Sequence, residues 1–201
     1  MHTQAVQFNG EESQDEEKKG NEQPHLLDRM LKTRTILIAG EINKELAERV
    51  VRQLLIMEQE SDEDIRVFID SPGGDADAGY AIFDTIRFVT PQVWTVGIGL
   101  VASAGALILL AAEADHRVGF PNSHYLIHQP LSGIRGVATD IEIHAKEIER
   151  MRFRINTLIA EETGKQFKQV EKDTDRDFWM NAEEAVAYGL ISRITARRSD
   201  L

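Results

Sequence analysis

Residues 93–112, which read VWTVGIGLVASAGALILLAA, form a run of twenty residues without a charged side chain. A run of this length is long enough either to cross a membrane or to fill the centre of a globular core. Three glycines interrupt it, and its first part is rich in β-branched and aromatic residues, which favour a strand. We therefore predict a buried strand over 93–99 and a separate helix over 103–112, and no membrane-spanning segment.

Short apolar runs alternate with helical patterns from about His25 onward. This pattern predicts strands over 34–40, 65–70, 93–99, 116–120, 125–129 and 190–194. It also predicts a helix that begins after a cap at Asn43, and helices over 78–89, 103–112, 138–162 and 182–188. For the last of these helices, Asn181 and Glu184 form a capping pair at the start and Gly189 ends it. Repeated strand–helix–strand units predict an α/β fold with a mainly parallel sheet. The positions of the long helix that we expect to be buried are Ile141, Ala145, Ile148, Ile155, Leu158 and Ile159.

The composition allows one domain with its own core and excludes several kinds of site. Of the 201 residues, 42% are hydrophobic and none is cysteine, so neither disulfides nor thiolate chemistry is available. The formal net charge of −11 argues against a nucleic-acid-binding protein, because such proteins need a concentrated basic surface. The lack of cysteine fits a reducing compartment such as the cytoplasm.

The beginning of the chain differs in composition from the rest. Residues 1–24 are polar and acidic and show no hydrophobic periodicity. Such a segment buries too little apolar surface to offset the entropy of ordering it. We therefore predict a mobile tail or propeptide over 1–24 and a single domain over 25–201, and we find no secretory signal.

Ser103 carries the only polar side chain in residues 99–110, GLVASAGALILL. It follows a predicted strand and begins a predicted helix, at the edge of the sheet where α/β sites usually open. Two interpretations remain open here: a small residue that suits a tight helix start, or a nucleophile. The stretch is not a Gly-x-Ser-x-Gly elbow, because three residues separate Gly99 from the serine.

Three other stretches offer partners for a nucleophile. The SPGG turn at 71–74 is either an ordinary turn or a loop that aims a glycine amide into a cleft. His128 ends an apolar strand beside a predicted cleft and could act as a base. The charged run at 171–179 contains Asp173 and Asp177, and spacing alone does not decide which of them would orient the histidine.

A metal site is the alternative role for the histidines. His116, His124 and His128 share the same strand parity. No cysteine and no matching carboxylate cluster accompanies them, so we do not predict a metal site.

Five motifs occur in the order and at the spacing found in one protein family: SPGG, ASAGA, PNSHYLIHQP, GVATDIEIHAKEI and DTDRDFWMNAEEAVAYGL. On these motifs the chain resembles the Clp protease proteolytic subunit family over about residues 27–195. The resemblance implies a crotonase-like fold of strand–helix units with a protruding helical handle. It implies a serine endopeptidase in which Ser103 is the nucleophile, His128 the general base and Asp177 the orienting carboxylate. The resemblance also implies that the backbone amides of Gly74 and Ala104 form the oxyanion hole.

The resemblance further implies how the protein assembles and what it works with. The expected assembly is a tetradecamer of two stacked heptameric rings that cleaves unfolded polypeptides inside a barrel, with Arg176 among the ring contacts. A separate AAA+ unfoldase would use ATP, so we expect no cofactor and no metal in this chain, and it has no nucleotide-binding Gly-x-x-x-x-Gly-Lys-Ser/Thr motif. We expect a cytoplasmic protein with no nucleic-acid or membrane partner.

The chain departs from the family pattern at three places. Ala104 stands where the family usually has methionine, so the neighbouring specificity pocket is expected to differ. The candidate unfoldase-docking residues are Phe68, Phe88, Val118 and Phe120, but Arg66 replaces a typical tyrosine beside them. The acidic tail does not resemble the family's axial loop.

These departures suggest a divergent paralogue that needs a second paralogue as a partner ring. Two other functions remain as alternatives. One is a non-catalytic ring subunit, and the other is an acyl-CoA enzyme of the crotonase type. The second alternative gives Ser103, His128 and Asp177 no joint role.

Overall fold

The computed structural model describes residues 29–200, which form a seven-stranded sheet covered by helices. The strands are β1 (Thr35–Ala39), β2 (Ile65–Ser71), β3 (Val93–Ala102), β4 (Arg117–Gly119), β5 (His124–Ile127), β6 (Phe178–Met180) and β7 (Arg193–Ile194). The helices are α1 (Lys44–Glu60), α2 (Ala76–Phe88), α3 (Ala104–Leu109), α4 (Ala138–Thr163), α5 (Phe167–Asp173) and α6 (Ala182–Tyr188). The tail predicted over 1–24 lies outside the described residues.

The sheet is parallel except at one edge. Strands β1, β2, β3, β4 and β7 pair in that order, and every pair is parallel. Strand β5 also pairs parallel with β3, and β6 pairs antiparallel with β5. Helices between successive parallel strands are the expected connection, so the predicted α/β fold with a mainly parallel sheet is confirmed.

Alternation along β1 and β2 sends one set of side chains into the core. Ile36 and Ile38 of β1 and Ile65, Val67 and Ile69 of β2 are all buried. Helix α1 covers this core, and the side chain of Asn43 caps it by accepting the N–H of Leu46 at 2.9 Å, as predicted. The predicted capping pair of Asn181 and Glu184 is also present at the start of α6.

The run at 93–112 forms a strand and a helix, as predicted, but the boundary between them is later. Strand β3 continues to Ala102, because Gly99, at φ 52°, lets the strand bend without ending. The carboxylate of Asp70 accepts the N–H of Leu100 at 3.0 Å at this bend. Helix α3 is shorter than predicted, and among residues 29–200 no helix is long and apolar enough to cross a membrane.

Strand β6 and helix α5 were not predicted, and two positions of α4 that were predicted to be buried are exposed. Strand β6 and helix α5 lie around the charged run at 171–179, which shows no clear hydrophobic period. Of the α4 positions predicted to be buried, Ile155 and Ile159 are buried, Ile148 and Leu158 are half-buried, and Ile141 and Ala145 are exposed. The first half of this helix has its apolar positions on a face that the chain's own core does not cover.

A buried ion pair joins the end of α4 to the sheet. The guanidinium of Arg117 in β4 donates to the carbonyl of Ala112 at 2.7 Å, to the carbonyl of Glu162 at 2.9 Å and to the Glu162 carboxylate. Arg87 of α2 pairs with the other oxygen of that carboxylate at 2.5 Å. Burial lowers the pKa of Arg117, and the charge of Glu162 opposes this shift.

Replacing the shared carboxylate tests how much this ion pair contributes. We expect Glu162→Gln to lower the free energy of unfolding by about 2–3 kcal/mol, because it leaves a buried guanidinium without its counter-charge. The control is Glu48→Gln, which removes an exposed i,i+4 pair with Arg52 and should cost about 0.5 kcal/mol or less. Urea denaturation at fixed protein concentration measures both, and equal effects would contradict the assignment.

Candidate active site

Ser103 lies at the junction of β3 and α3 in an unusual backbone conformation. Its φ of 54° and ψ of −120° are rare for a residue with a side chain and cost on the order of 1–3 kcal/mol. Two neighbours hold this conformation. The N–H of Ser103 donates to the carbonyl of Leu126 in β5 at 2.9 Å, and its carbonyl accepts the N–H of Ala106 at 2.9 Å.

The SPGG turn after β2 lies directly against this serine. A Cβ atom at Gly73 would lie 2.5 Å from the Cβ of Ser103 and 2.9 Å from the carbonyl oxygen of Ala102, so only glycine fits. The turn is fixed from its other side by Ile42, whose N–H donates to the carbonyl of Gly73 at 2.8 Å. A Cβ atom at Gly74 would overlap the backbone of Ile42.

The turn uses the two glycine amides differently. The N–H of Gly73 donates to the hydroxyl of Ser71 at 3.1 Å, and that hydroxyl donates to the carbonyl of Gly40 at 2.6 Å. Among the described residues, the amides of Gly74 and Ala104 donate to no protein acceptor. This role of Ser71 was not predicted, because its only signal in the sequence is a hydroxyl residue two positions before a turn glycine.

His128 and Asp177 meet because β5 and β6 are antiparallel. Ile127, the last residue of β5, pairs with Phe178, the first residue of β6, so the residue after β5 faces the residue before β6. The Nδ1 atom of His128 lies 3.0 Å from Oδ1 of Asp177. The imidazole is mostly buried, whereas the carboxylate side chain is 61% exposed. This contact leaves Nε2 of His128 available to a second group.

The other carboxylate that spacing left open is engaged elsewhere. Asp173 accepts the hydroxyl of Tyr188 at 3.1 Å and the side-chain amide of Gln169 at 2.7 Å. Burial, with a contribution from Asp173, raises the pKa of Tyr188. The structure therefore brings Asp177, and not Asp173, to His128.

Ser103, His128, Gly74 and Ala104 all line one cavity of about 430 Å³. Its apolar wall is formed by Leu107, Ile127, Ile148, Met151, Ile155 and Ile159. In the described part of the chain no hydrogen bond joins the hydroxyl of Ser103 to His128. The cavity therefore brings together a hydroxyl, an oriented imidazole and two amides that donate to no described acceptor, which is the set of groups that acyl transfer needs.

The other residues singled out from the sequence lie outside this cavity. The rings of Phe68 and Phe120 are in edge-to-face contact at 6.3 Å, and Phe88 is 75% exposed at the end of α2. Val118 is fully buried within the sheet, so its side chain has no surface to offer a partner. Arg66 is partly buried on β2, and Arg176 is exposed next to Asp177.

The histidines considered for a metal site do not form one. His124 is exposed at the start of β5, and His116 packs edge-to-face on Trp94 at 4.3 Å between ring centres. Over residues 29–200, no three or more His, Cys, Asp or Glu side chains are placed to hold a metal ion together.

The contact between Gly73 and Ser103 generates a steric prediction. Gly73→Ala should distort the backbone at Ser103 and abolish its reaction with a fluorophosphonate, a reagent for activated serines. Gly164→Ala is the matched control, because Gly164 also has a positive φ of 69° but a Cβ atom there would contact nothing within 4 Å. That variant should lose about 1 kcal/mol of stability and keep the reaction. Labelling of the Gly73 variant at the rate of the control would refute the steric argument.

The chain is similar to known proteins over most of its length. The family model described as Clp protease matches residues 18–198. The chain is 60% identical over 197 residues to an ATP-dependent Clp protease proteolytic subunit 2 from Treponema denticola, which covers 98% of each chain. A subunit of the same name from Treponema pallidum is 59% identical over 86% of this chain and 87% of that protein. A solved structure of a ClpP1 mutant from Listeria monocytogenes superposes with a TM-score of 0.81 at 51% identity, over 87% of this chain and 98% of that one. The chain therefore belongs to the Clp protease family and is one of its serine peptidase subunits.

Proposed function

We propose that this chain cleaves peptide bonds through a triad of Ser103, His128 and Asp177. The observation that carries the proposal is the 3.0 Å contact between His128 and Asp177 beside a cavity that Ser103 also lines. A carboxylate on Nδ1 fixes the imidazole tautomer, so that Nε2 accepts the proton of the serine hydroxyl. The strained backbone of Ser103 supports the same assignment, because such strain clusters at functional sites.

The reaction follows from these positions. Ser103 Oγ attacks the carbonyl carbon of the scissile bond while His128 takes its proton. The protonated imidazole then gives that proton to the leaving amine, and an acyl group remains on Ser103. Water, deprotonated by His128, releases the acyl group and restores the hydroxyl.

The oxyanion of each tetrahedral intermediate needs hydrogen-bond donors that no other group uses. The amides of Gly74 and Ala104 meet this condition, since both border the cavity and neither donates to a described acceptor. The amide of Gly73 does not meet it, because it is bonded to Ser71. One such donor is typically worth on the order of 10²–10³ in rate.

Members of this family form multimeric barrels associated with Clp ATPases. For this chain we propose two stacked heptameric rings, with Arg176 among the ring contacts and an AAA+ unfoldase supplying unfolded polypeptides. The large apolar side chains left exposed in the single chain support such an assembly. Leu131, Val137, Ile143 and Phe153 are exposed on α4 and the segment before it.

A partner-dependent subunit is a second candidate, and one observation favours it. Within residues 29–200 the hydroxyl of Ser103 and the imidazole of His128 are not hydrogen-bonded, so the single chain holds an incomplete relay. Contacts from neighbouring subunits, of the same chain or of a paralogue, would then complete it. An acyl-CoA enzyme is disfavoured, because such a reaction leaves the contact between His128 and Asp177 without a purpose.

The docking surface and the location remain predictions. Phe68, Phe88 and Phe120 have exposed or partly exposed rings that an unfoldase loop can contact, with Arg66 beside them. Val118 would act only by supporting them from within the sheet. We expect the protein in the cytoplasm, and for the peptidase itself we propose no cofactor and no metal.

Fluorophosphonate labelling with peptide mapping tests the triad directly. We expect one adduct on Ser103 of the assembled protein, no adduct on Ser103→Ala, and loss of the adduct in His128→Ala. If a partner ring is required, labelling should be absent from the isolated chain and present after the paralogue is added. Labelling of another serine, or an adduct that survives His128→Ala, would contradict the proposed roles.

The choice of carboxylate has its own test. Asp177→Asn should slow labelling of Ser103 by on the order of 10²–10⁴, because the amide favours the wrong imidazole tautomer. Asp173→Asn is the matched control from the same charged run, and it should change the rate less than about threefold, a difference under 1 kcal/mol in barrier. The two variants are compared at equal degrees of assembly, measured by native mass spectrometry. A slow Asp173 variant beside a normal Asp177 variant would reverse the assignment.

A further inference from the structure

The cavity beside Ser103 carries an excess of negative charge. Three carboxylates line it, those of Asp75, Asp77 and Glu147, and none of the described residues that line it is a lysine or an arginine. The other ionisable side chains among the described residues that line it are the imidazoles of His128 and His144. A substrate side chain that enters this cavity therefore meets an apolar wall and a negative rim.

Asp75 is held in place by the fold. It follows Gly74 directly, its N–H donates to the carbonyl of Ile42 at 2.8 Å, and its Oδ1 accepts the N–H of Ala78 at 2.7 Å as the cap of α2. The cap uses one carboxylate oxygen, so the second is available to another donor. The charge is thus fixed one residue from the proposed oxyanion amide.

Asp77 adds a second charge on the first turn of α2. A cation also lies close to this helix: the guanidinium of Arg154 of α4 stacks on the ring of Tyr80 at 3.7 Å. Within the described residues, neither Asp75 nor Asp77 forms an ion pair. Glu147, in contrast, pairs with Arg150 at 3.0 Å, so its charge is partly balanced.

The apolar wall and the acidic rim suit one kind of side chain. Lysine and arginine have a long apolar stem and a charged head, and they place the stem on apolar surface while the head reaches a polar group. Ile148 and Met151 offer the surface for the stem, and Asp75 and Asp77 offer the counter-charge. A glutamate in the same place would face two unpaired like charges.

We propose that this cavity selects polypeptides with a lysine or arginine at the residue whose carbonyl Ser103 attacks. The inference rests on the proposed function, because it assumes that the cavity holds the peptide to be cleaved. It assigns Asp75 and Asp77 as specificity-determining residues. Both act through charge, and neither takes part in proton transfer.

The test compares peptides that differ at one side chain. Fluorogenic peptides with lysine, norleucine or glutamate at that residue are cleaved by the assembled protein at about pH 8, and the ratio of kcat/KM for lysine over norleucine is measured. Norleucine has nearly the length of lysine without its charge. We expect a ratio of about five to ten, as two exposed carboxylates acting together would give, and the slowest cleavage for glutamate.

Variants at Asp75 and Asp77 test whether these two charges cause the preference for lysine. Asp75→Asn retains a good helix cap, so the double variant Asp75→Asn/Asp77→Asn removes charge while keeping the start of α2. The ratio should fall to near one. Asp84→Asn is the control, since it removes one charge from an exposed position of the same helix outside the cavity and should leave the ratio unchanged.

A binding measurement distinguishes a failure of this inference from a failure of the proposed function. The same peptides, labelled and not cleaved, are bound to Ser103→Ala with and without the Asp75 and Asp77 changes. Loss of lysine preference in the double variant supports the inference in either assay. A wild-type ratio near one, a ratio that survives the double variant, or an equal fall in Asp84→Asn overturns it. If Ser103 is not labelled by a fluorophosphonate but binding still favours lysine, the peptidase roles fail and the charge selection stands.

Discussion

The site depends on a fork in the sheet, where strand β3 pairs with one strand along its first half and with a different strand along its second half. Residues 95–97 of this strand pair with β4, whereas residues 100–102 pair with β5. Tyr125 fills the fork: a Cβ atom at Gly97 would lie 2.6 Å from its hydroxyl, and one at Gly119 would overlap it. The ring is fully buried, and burial raises the pKa of Tyr125 to about 12. Glycine at both positions is therefore what allows β5 to approach the second half of β3.

The positions of Ser103, His128 and Asp177 follow from that approach. Because β5 pairs beside Ala102, the carbonyl of Leu126 reaches the N–H of Ser103 and helps to hold its positive φ. Because β6 pairs antiparallel with β5, the residue after β5 faces the residue before β6, which brings His128 to Asp177. The turn after β2 closes the site from the other side. The strain at Ser103 is thus balanced by contacts from three separate segments of the chain.

The sequence predicted the elements better than the contacts between them. Apolar periodicity was enough for β1, β2, α1 and α2, because their buried faces lie within the chain's own core. It placed Ile141 and Ala145 in a core that the single chain does not provide, because a periodic face does not reveal what covers it. Spacing could not choose between Asp173 and Asp177, since the choice depends on the register of β5 with β6. Family motifs pointed to Asp177, and the register gives the physical reason why it lies at His128.

Helix α4 contributes both an uncovered apolar face and one wall of the cavity. Its last turn is fixed by the ion pair of Glu162 with Arg117, and its first half presents apolar residues that the chain leaves uncovered. The cavity wall is built from the part between, at Ile148, Met151 and Ile155. A helix of this length is stiff along its axis, so a subunit that packs on the free half sets the position of the wall as well. If a neighbouring subunit buries the exposed face of α4, the same contacts would also shape the space beside Ser103, so we expect the width of this cavity to depend on the assembly.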